Sequence, residues 1–190
     1  MVASQILNHL LFSSFMVMAI FMRSSMSKFS EQFPSTVSIK RMEKMTRFHF
    51  YFHDIHSGKT PTAVRIIARA QNGGAGNFGT TFMMDNPLTE EQEPESKLVG
   101  RAQGMYAFAS LHDPGLLMVL NLAFVEGMYN GSSISILGRN PVLENVREMP
   151  VVGGSGLFRF ARGCALAKTI TYNPKTNDAV VEYNVSVVHF

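Results

Sequence analysis

The sequence has a single cysteine, Cys164, among its 190 residues. An intramolecular disulfide is therefore impossible, and there is no Cys-x-x-Cys motif that could form a zinc or redox site. Cys164 lies among apolar residues and is expected to be a small packed side chain. The chain also lacks a dense basic surface, because its net charge is only +3 and most basic residues are scattered. Nucleic-acid binding is therefore not expected.

A metal-binding pattern is also missing, although three histidines lie close together. His49, His53 and His56 surround Asp54 in the sequence. On a β-strand, Asp54 would point away from His49 and His53, so the four side chains could not converge on one ion without a bulge. The sequence therefore predicts no metal site, and no cofactor is expected.

A long apolar run, Ile6 to Met22, lies at the extreme N-terminus and is followed by several serines. The run is short for a membrane span, and its position is typical of a secretory signal peptide. We therefore predict a leader over residues 1–27 and no membrane association after its removal. No Lys or Arg precedes the run, so an uncleaved anchor or a buried helix is the alternative.

The next segment, residues 28–46, includes Pro34 and has few large apolar side chains. Ordering such a segment would cost more free energy than its burial returns, so we predict a mobile arm. From Arg47 onward the apolar residues alternate with period two, which predicts strands rather than helices. Eight strands are predicted: residues 47–55, 62–70, 78–85 (ending before Pro87), 98–110, 116–125, 132–137, 157–167 and 179–190. The domain over residues 47–190 is therefore expected to be all-β, a barrel or a sandwich.

The stretch from Met149 to Gly163 is rich in glycine. Pro150 fixes its backbone φ angle and removes a donor, and Gly153, Gly154 and Gly156 permit a tight turn. A glycine cluster that opens a strand is typical of a corner in a strongly bent sheet, and an ordinary hairpin loop is the alternative. Either interpretation places the next strand at residues 157–167, after a loop at 138–147.

Several blocks resemble those of one protein family, the plant dirigent proteins. These blocks are Phe50–Ile55, Val99–Gly104, Tyr129–Ser133, Gly138–Pro141 and Met149–Gly163. The resemblance runs in order over roughly residues 46 to 190. It implies an eight-stranded antiparallel β-barrel like that of allene oxide cyclase. A closed barrel of this size can enclose a ligand cavity.

The resemblance also implies a function in phenylpropanoid chemistry. Dirigent proteins do not oxidise their substrates; a laccase or peroxidase makes phenoxy radicals, for example from coniferyl alcohol. The barrel orients two radicals so that one stereoisomer of a lignan forms. Some relatives are pterocarpan synthases, which dehydrate an isoflavanol through a quinone methide. A phenolic-binding cell-wall defence protein without chemistry is a further alternative.

The resemblance assigns catalytic positions to Asp54, Arg147 and Tyr106. The expected pocket lining is Phe50, Phe52, Phe108 and Asn140. Period two places Asp54 on the face of Phe50 and Phe52, where its carboxyl is a candidate proton donor. From the residues alone, Asp54 could instead cap the turn that follows the strand. Lignan-forming members carry a second acid where this chain has Asn140, and an amide cannot donate a proton as an acid does.

Two Asn-x-Ser triplets begin at Asn130 and Asn184, and both asparagines are expected to be exposed and glycosylated. With the leader, they predict a secreted glycoprotein of the apoplast or cell wall. The apolar strand from Leu116 to Val125 has more apolar side chains than one barrel interior is expected to hide. Together with the resemblance, this predicts a homodimer or homotrimer.

Overall fold

The computed structural model describes residues 43–68 and 77–190, so the predicted signal peptide and nearly all of the predicted arm lie outside the described residues. Nine strands form in the described part. They are β1 (Lys44–Asp54), β2 (Ala63–Ile67), β3 (Thr81–Thr89), β4 (Leu98–Phe108), β5 (Gly115–Phe124), β6 (Ser133–Pro141), β7 (Arg147–Ser155), β8 (Arg162–Tyr172) and β9 (Ala179–His189). No helix in these residues has the length and hydropathy of a membrane span.

Eight of the strands form one closed ring. The hydrogen-bonded order is β1-β9-β8-β7-β6-β5-β4-β3, and β3 pairs again with β1. Each pairing in the ring is antiparallel. The predicted eight-stranded antiparallel barrel is therefore confirmed. β2 is an additional short strand that pairs with the first residues of β3, from Thr81 to Met84.

The alternation along β1 determines which side chains enter the barrel. Phe50 and Phe52 are 1% and 4% exposed, whereas His49 of β1 lies on the outer surface and contacts Glu182 of β9. β1 begins at Lys44, inside the segment predicted to be a mobile arm. Its pairing with β9 extends over the whole strand, from Lys44 opposite His189 to Asp54 opposite Ala179.

The two ends of the barrel interior differ in chemistry. One end is closed by an aromatic cluster in which Phe48 stacks on Phe124, and Tyr129 stacks on the buried ring of Phe158. The other end is the one at which β1, β4 and β6 end and β7 begins. Asp54, Tyr106, Asn140 and Arg147 lie at this end, which we call the polar end, and chemistry is expected there.

The largest difference from the sequence prediction is β7, which the prediction assigned to a loop and a glycine-rich corner. Gly154 lies within β7 and pairs with Ile134 of β6. A Cβ on Gly154 would lie 2.7 Å from the Cβ of Phe158, so glycine is needed here for close packing. The chain turns at Gly156, whose φ is +62°. The sequence prediction also gave eight strands, but these included β2, which lies outside the ring, and lacked β7, which belongs to it.

Several predicted strand boundaries are also wrong. β6 runs to Pro141 rather than to residue 137, and β8 runs to Tyr172 rather than to residue 167. β3 continues through Pro87, and its last residues Leu88 and Thr89 make the pairs with β1 that close the ring. Pro87 pairs with β4 on one side only, an edge-like position that strand prolines favour. β8 begins at Arg162 rather than Leu157, because a 3-10 turn intervenes.

Candidate functional site

Asp54, the last residue of β1, has both carboxylate oxygens engaged at the polar end. Its Oδ1 accepts a hydrogen bond from Asn86 Nδ2 at 2.9 Å, and its Oδ2 accepts one from the Tyr106 hydroxyl at 3.1 Å. Asn86 is fully buried on β3, and its Oδ1 accepts from the Thr62 hydroxyl at 2.5 Å. This chain of donors determines the orientation of the Asn86 amide and hence of the Asp54 carboxylate.

His56 joins the same group from just beyond the end of β1. Its Nε2 is 2.9 Å from the Tyr106 oxygen and 3.2 Å from Asp54 Oδ2. The ring of Phe82 stacks on Tyr106 and meets His56 edge-on, each at a centroid distance of 5.1 Å. We call Asp54, His56 and Tyr106 the Asp–His–Tyr cluster.

The protonation of the cluster follows from its surroundings. Burial and the negative charge of Asp54 raise the pKa of Tyr106, so its phenol stays protonated and remains a donor. The hydrogen bond to Asp54 raises the pKa of His56; burial opposes this effect, and the charges of Asp54 and Asp178 add to it. The raised pKa means that the cluster favours the imidazolium of His56.

The position of His56 is determined by the turn between β8 and β9. Asp178 Oδ1 accepts hydrogen bonds from the backbone N–H groups of His56 at 2.7 Å and Ser57 at 3.0 Å. Asp178 Oδ2 accepts from the Ser57 hydroxyl at 2.5 Å. Burial acts to raise the pKa of Asp178, but hydrogen bonds from Ser57, Thr176 and the backbone outweigh it and lower the pKa to about 2. Asp178 is therefore an ionised anchor for the backbone at His56.

Arg147, the first residue of β7, places a charged group in the same interior. It is only 2% exposed, and its Nε donates to Asn140 Oδ1 at 3.1 Å. Among the described residues, its buried NH1 has no hydrogen-bond partner. A buried guanidinium with one neutral partner is unusual, since buried charges are normally paired.

The neighbouring phenol of Tyr183 does not supply the missing charge. Tyr183 is 2% exposed, and burial raises its pKa even though Arg147 acts to lower it. It therefore stays neutral. Burial lowers the pKa of Arg147, but a guanidinium remains charged in proteins. The polar end thus has a cation with an unused donor and, in the Asp–His–Tyr cluster, a source of protons.

The structure brings together only some of the residues predicted from the sequence. Tyr106 contacts Asp54, and Asn140 contacts Arg147. The remaining predicted pocket residues, Phe50, Phe52 and Phe108, belong to or pack against the apolar core. Phe50 and Phe52 both pack on Tyr183, with ring centroids 5.7 and 5.6 Å away. Phe50 and Phe52 are therefore core residues that pack beside Tyr183.

His56, Asn86, Thr62 and Asp178 were absent from the predicted site. His56 lies beyond the end of β1, where period two no longer applies, so no sequence signal indicated any of the four. The three histidines considered together in the sequence have separate partners: His49 contacts Glu182, His53 contacts Thr89, and His56 contacts Asp54. The described residues contain no cluster of His, Cys, Asp or Glu with metal-binding geometry.

The eight antiparallel strands form a small closed barrel with polar groups at one end. Barrels of this size are filled by side chains or hold one small ligand. Residues 45–188 match the family model described as Dirigent-like protein. The chain belongs to the dirigent family.

Relatives from plants are similar to this protein over most of its chain. Dirigent protein 21 of Arabidopsis thaliana is 48% identical over 165 residues, covering 84% of this chain and 87% of the relative. Pterocarpan synthase 1 of Glycyrrhiza echinata is 50% identical over 152 residues, covering 78% and 80%.

Solved structures agree with this assignment. The pterocarpan synthase dirigent protein GePTS1 is similar with a TM-score of 0.74 at 47% identity, covering 78% of this chain and 86% of that one. PsPTS1, another pterocarpan synthase dirigent protein, has a TM-score of 0.73 at 48% identity, covering 77% and 96%.

Proposed function

We propose that this protein holds phenolic substrates in its barrel and directs the coupling of phenoxy radicals to one stereoisomer. The observation that carries the proposal is the pairing of the Asp–His–Tyr cluster with buried Arg147 at one end of a closed barrel. Family membership supports phenolic or isoflavonoid substrates. A separate laccase or peroxidase supplies the radicals, and monolignols such as coniferyl alcohol are the proposed precursors of lignans.

The proposed chemistry consists of positioning followed by proton transfer. Arg147 NH1 donates a hydrogen bond to a substrate oxygen, which orients the phenol in the barrel. Coupling forms a carbon–carbon bond and leaves quinone methides. The Asp–His–Tyr cluster gives a proton to the quinone methide oxygen while an alcohol oxygen attacks the methide carbon and loses its own proton.

A second candidate function is the dehydration of an isoflavanol through a quinone methide. Two observations favour it: the similarity to GePTS1 and PsPTS1, and the amide at Asn140. A dehydration needs one proton for the leaving hydroxyl, and the Asp–His–Tyr cluster can supply it without a second acid. The substrate loses one water, and its own hydroxyl then closes the new ring.

Chiral analysis of products distinguishes these functions. Monolignols are incubated with laccase in the presence and absence of the protein, and isoflavanols are incubated with the protein alone. An enantiomeric excess that requires both laccase and protein supports radical coupling. A pterocarpan formed without an oxidase supports dehydration. Unchanged products in both assays would leave only phenol binding, and oxidation of coniferyl alcohol by the metal-stripped protein alone would contradict the proposal.

We also propose that the barrel assembles into a homodimer or homotrimer through one outer face. An apolar row crosses five neighbouring strands in register: Val64, Met83, Met105, Val119 and Leu137. Four of its members are between 41% and 46% exposed. Exposed apolar surface of this extent is typical of an interface.

Substitution in this row is expected to dissociate the assembly. Val119→Lys places a charge at the centre of the apolar row, so the mass measured by light scattering should fall to that of one chain while circular dichroism stays unchanged. Leu166→Lys is the matched control, because Leu166 is similarly exposed on β8, outside the row. A wild-type protein that is already monomeric at micromolar concentration would contradict the proposal.

Secretion and glycosylation are further expectations for the full chain. Asn130 and Asn184 are both exposed, and Asn184 lies on β9, opposite β5 in the ring of eight strands, so a glycan there would leave the apolar row free. Expression in plant cells should give an extracellular product whose electrophoretic mobility increases after glycosidase treatment. Asn130→Gln and Asn184→Gln should each remove part of this change. Retention in the cytosol without any mobility change would contradict the prediction.

A further inference from the structure

The His56 side chain lies close enough to Tyr106 and Asp54 for the three groups to share hydrogen bonds. Its Nε2 lies within hydrogen-bond distance of both the Tyr106 oxygen and Asp54 Oδ2. Its side chain is 13% exposed and that of Asp54 is 16% exposed, so both remain accessible to a small molecule or to solvent. Phe82 contacts the edge of the imidazole and limits the directions in which the ring can turn.

The hydrogen bonds indicate where this proton lies. Tyr106 donates to Asp54 Oδ2, and Asn86 donates to Oδ1, so each oxygen of Asp54 already accepts a hydrogen bond. With both of its oxygens accepting, Asp54 acts as an acceptor in this cluster. Since the Tyr106 hydroxyl is directed to Asp54, its oxygen lone pairs are free to accept the Nε2–H of His56. The remaining proton therefore belongs on His56.

We infer that His56, and not Asp54, carries the proton that this site gives to its substrate, with Asp54 and Tyr106 holding the imidazolium in position. The inference rests on the proposed function, because it assumes that a quinone methide forms or reacts at the polar end. It adds a proton-donor residue and a dependence on pH that the sequence did not indicate.

The charged and titratable groups around His56 agree with this assignment. Asp54 faces it from β1, Tyr106 from β4, and Asp178 holds its backbone from the turn before β9. The two carboxylates favour the imidazolium, and the raised pKa of Tyr106 keeps its phenol neutral. The pKa of His56 is therefore above its ordinary 6.5. Activity should persist below this raised pKa and be lost as the pH rises through it.

The proton-transfer step balances for both candidate reactions. In dehydration, the Nε2–H bond breaks and an O–H bond forms on the leaving hydroxyl, which departs as water with the electron pair of its C–O bond. The conjugated phenol of the substrate loses its proton to solvent, which leaves a neutral quinone methide, and it regains a proton from solvent when the ring closes. In coupling, the same proton goes to the quinone methide oxygen as a nucleophile adds to the methide carbon. His56 becomes neutral in both cases and regains its proton from solvent or from the oxygen that closes the ring.

The kinetic test compares His56→Gln with His49→Gln. Glutamine keeps an N–H donor but cannot transfer a proton, so His56→Gln should lower the rate or stereoselectivity about 100-fold or more and remove the decline at high pH. His49 is the matched control, because it also contacts a carboxylate, Glu182 at 2.9 Å, but on the outside of the barrel. His49→Gln should change neither the rate nor the pH profile. Full activity in a folded His56→Gln variant would overturn the inference.

An NMR titration tests the inference independently of activity. The His56 Cε1–H resonance, assigned by its loss in His56→Gln, should titrate with a midpoint above 6.5 in the wild type, and this midpoint should fall in Asp54→Asn. A wild-type midpoint below 6.5, or one unaffected by Asp54→Asn, would overturn the inference. If both substrate assays fail while the midpoint behaves as expected, the proposed function fails and the assignment of the proton to His56 stands. If His56→Gln does not fold, the wild type and Asp54→Asn still provide the result. The His56 resonance is then identified as the histidine signal whose midpoint shifts in Asp54→Asn and which persists in His49→Gln.

Discussion

Asp54→Asn is expected to reduce stereoselectivity or turnover by about 10²- to 10⁴-fold, the usual contribution of general acid–base catalysis. The substitution keeps the size of the side chain and one acceptor oxygen. It removes the negative charge that holds the His56 imidazolium, and it removes any proton transfer by the carboxyl itself. The substitution therefore isolates proton transfer from the shape of the barrel.

The barrel itself is expected to survive this change. The amide introduced by Asp54→Asn retains an oxygen that can accept from Tyr106, and β1 keeps its full pairing with β9. Asp85→Asn is the matched control, because Asp85 is exposed on the outer face of β3 and contacts Arg101. Chiral product analysis, circular dichroism and thermal melting provide the measurement. A folded Asp54→Asn variant with full activity would show that neither the charge nor a proton of Asp54 contributes to the reaction.

Arg147→Met is expected to weaken substrate binding without weakening the fold. A hydrogen bond to a charged group contributes about 1.5–3 kcal/mol, so the loss of the NH1 donor should raise the Kd or KM by about 10- to 100-fold. Replacing a buried, incompletely paired charge by an apolar side chain is often neutral or stabilising by about 1–4 kcal/mol. The Tm of Arg147→Met should therefore be unchanged or higher.

Arg101→Met is the control for Arg147→Met, because Arg101 contacts Asp85 on the barrel exterior. It should leave substrate affinity unchanged. A marked fall in the Tm of Arg147→Met would mean that the charge of Arg147 is balanced in the barrel without a ligand. Unchanged affinity in Arg147→Met would mean that NH1 does not contact the substrate.

The strands could be predicted from the sequence because period two is a local signal, whereas the choice of a barrel over a sandwich came from the resemblance to dirigent proteins. The alternation of Phe48, Phe50, Phe52 and Asp54 placed these side chains on one face, and in the structure that face is the interior. The prediction failed at β7, since Pro150 and the glycines after it look locally like a turn. Their role becomes visible only through the contact of Gly154 with Phe158.

The site was harder to predict because most of its contacts cross long sequence distances. Asn86 reaches Asp54 only through the short pairing of β3 with β1, and that pairing depends on β3 continuing past Pro87. Asp178 contacts the backbone of His56 from 122 residues away. No local periodicity indicates either partner. His56 lies beyond the end of β1, so the alternation did not indicate it either.

The pairing of β1 with β9 has a consequence for how the protein is made. The first strand of the barrel is bonded along its whole length to the last, from Lys44 opposite His189 to Asp54 opposite Ala179. The ring therefore cannot close until the ribosome has synthesised almost the entire chain, and β1 has an unpaired edge until then. Such non-local topologies fold slowly. Asp54, which pairs with Ala179, therefore acquires its final surroundings only once β9 is available.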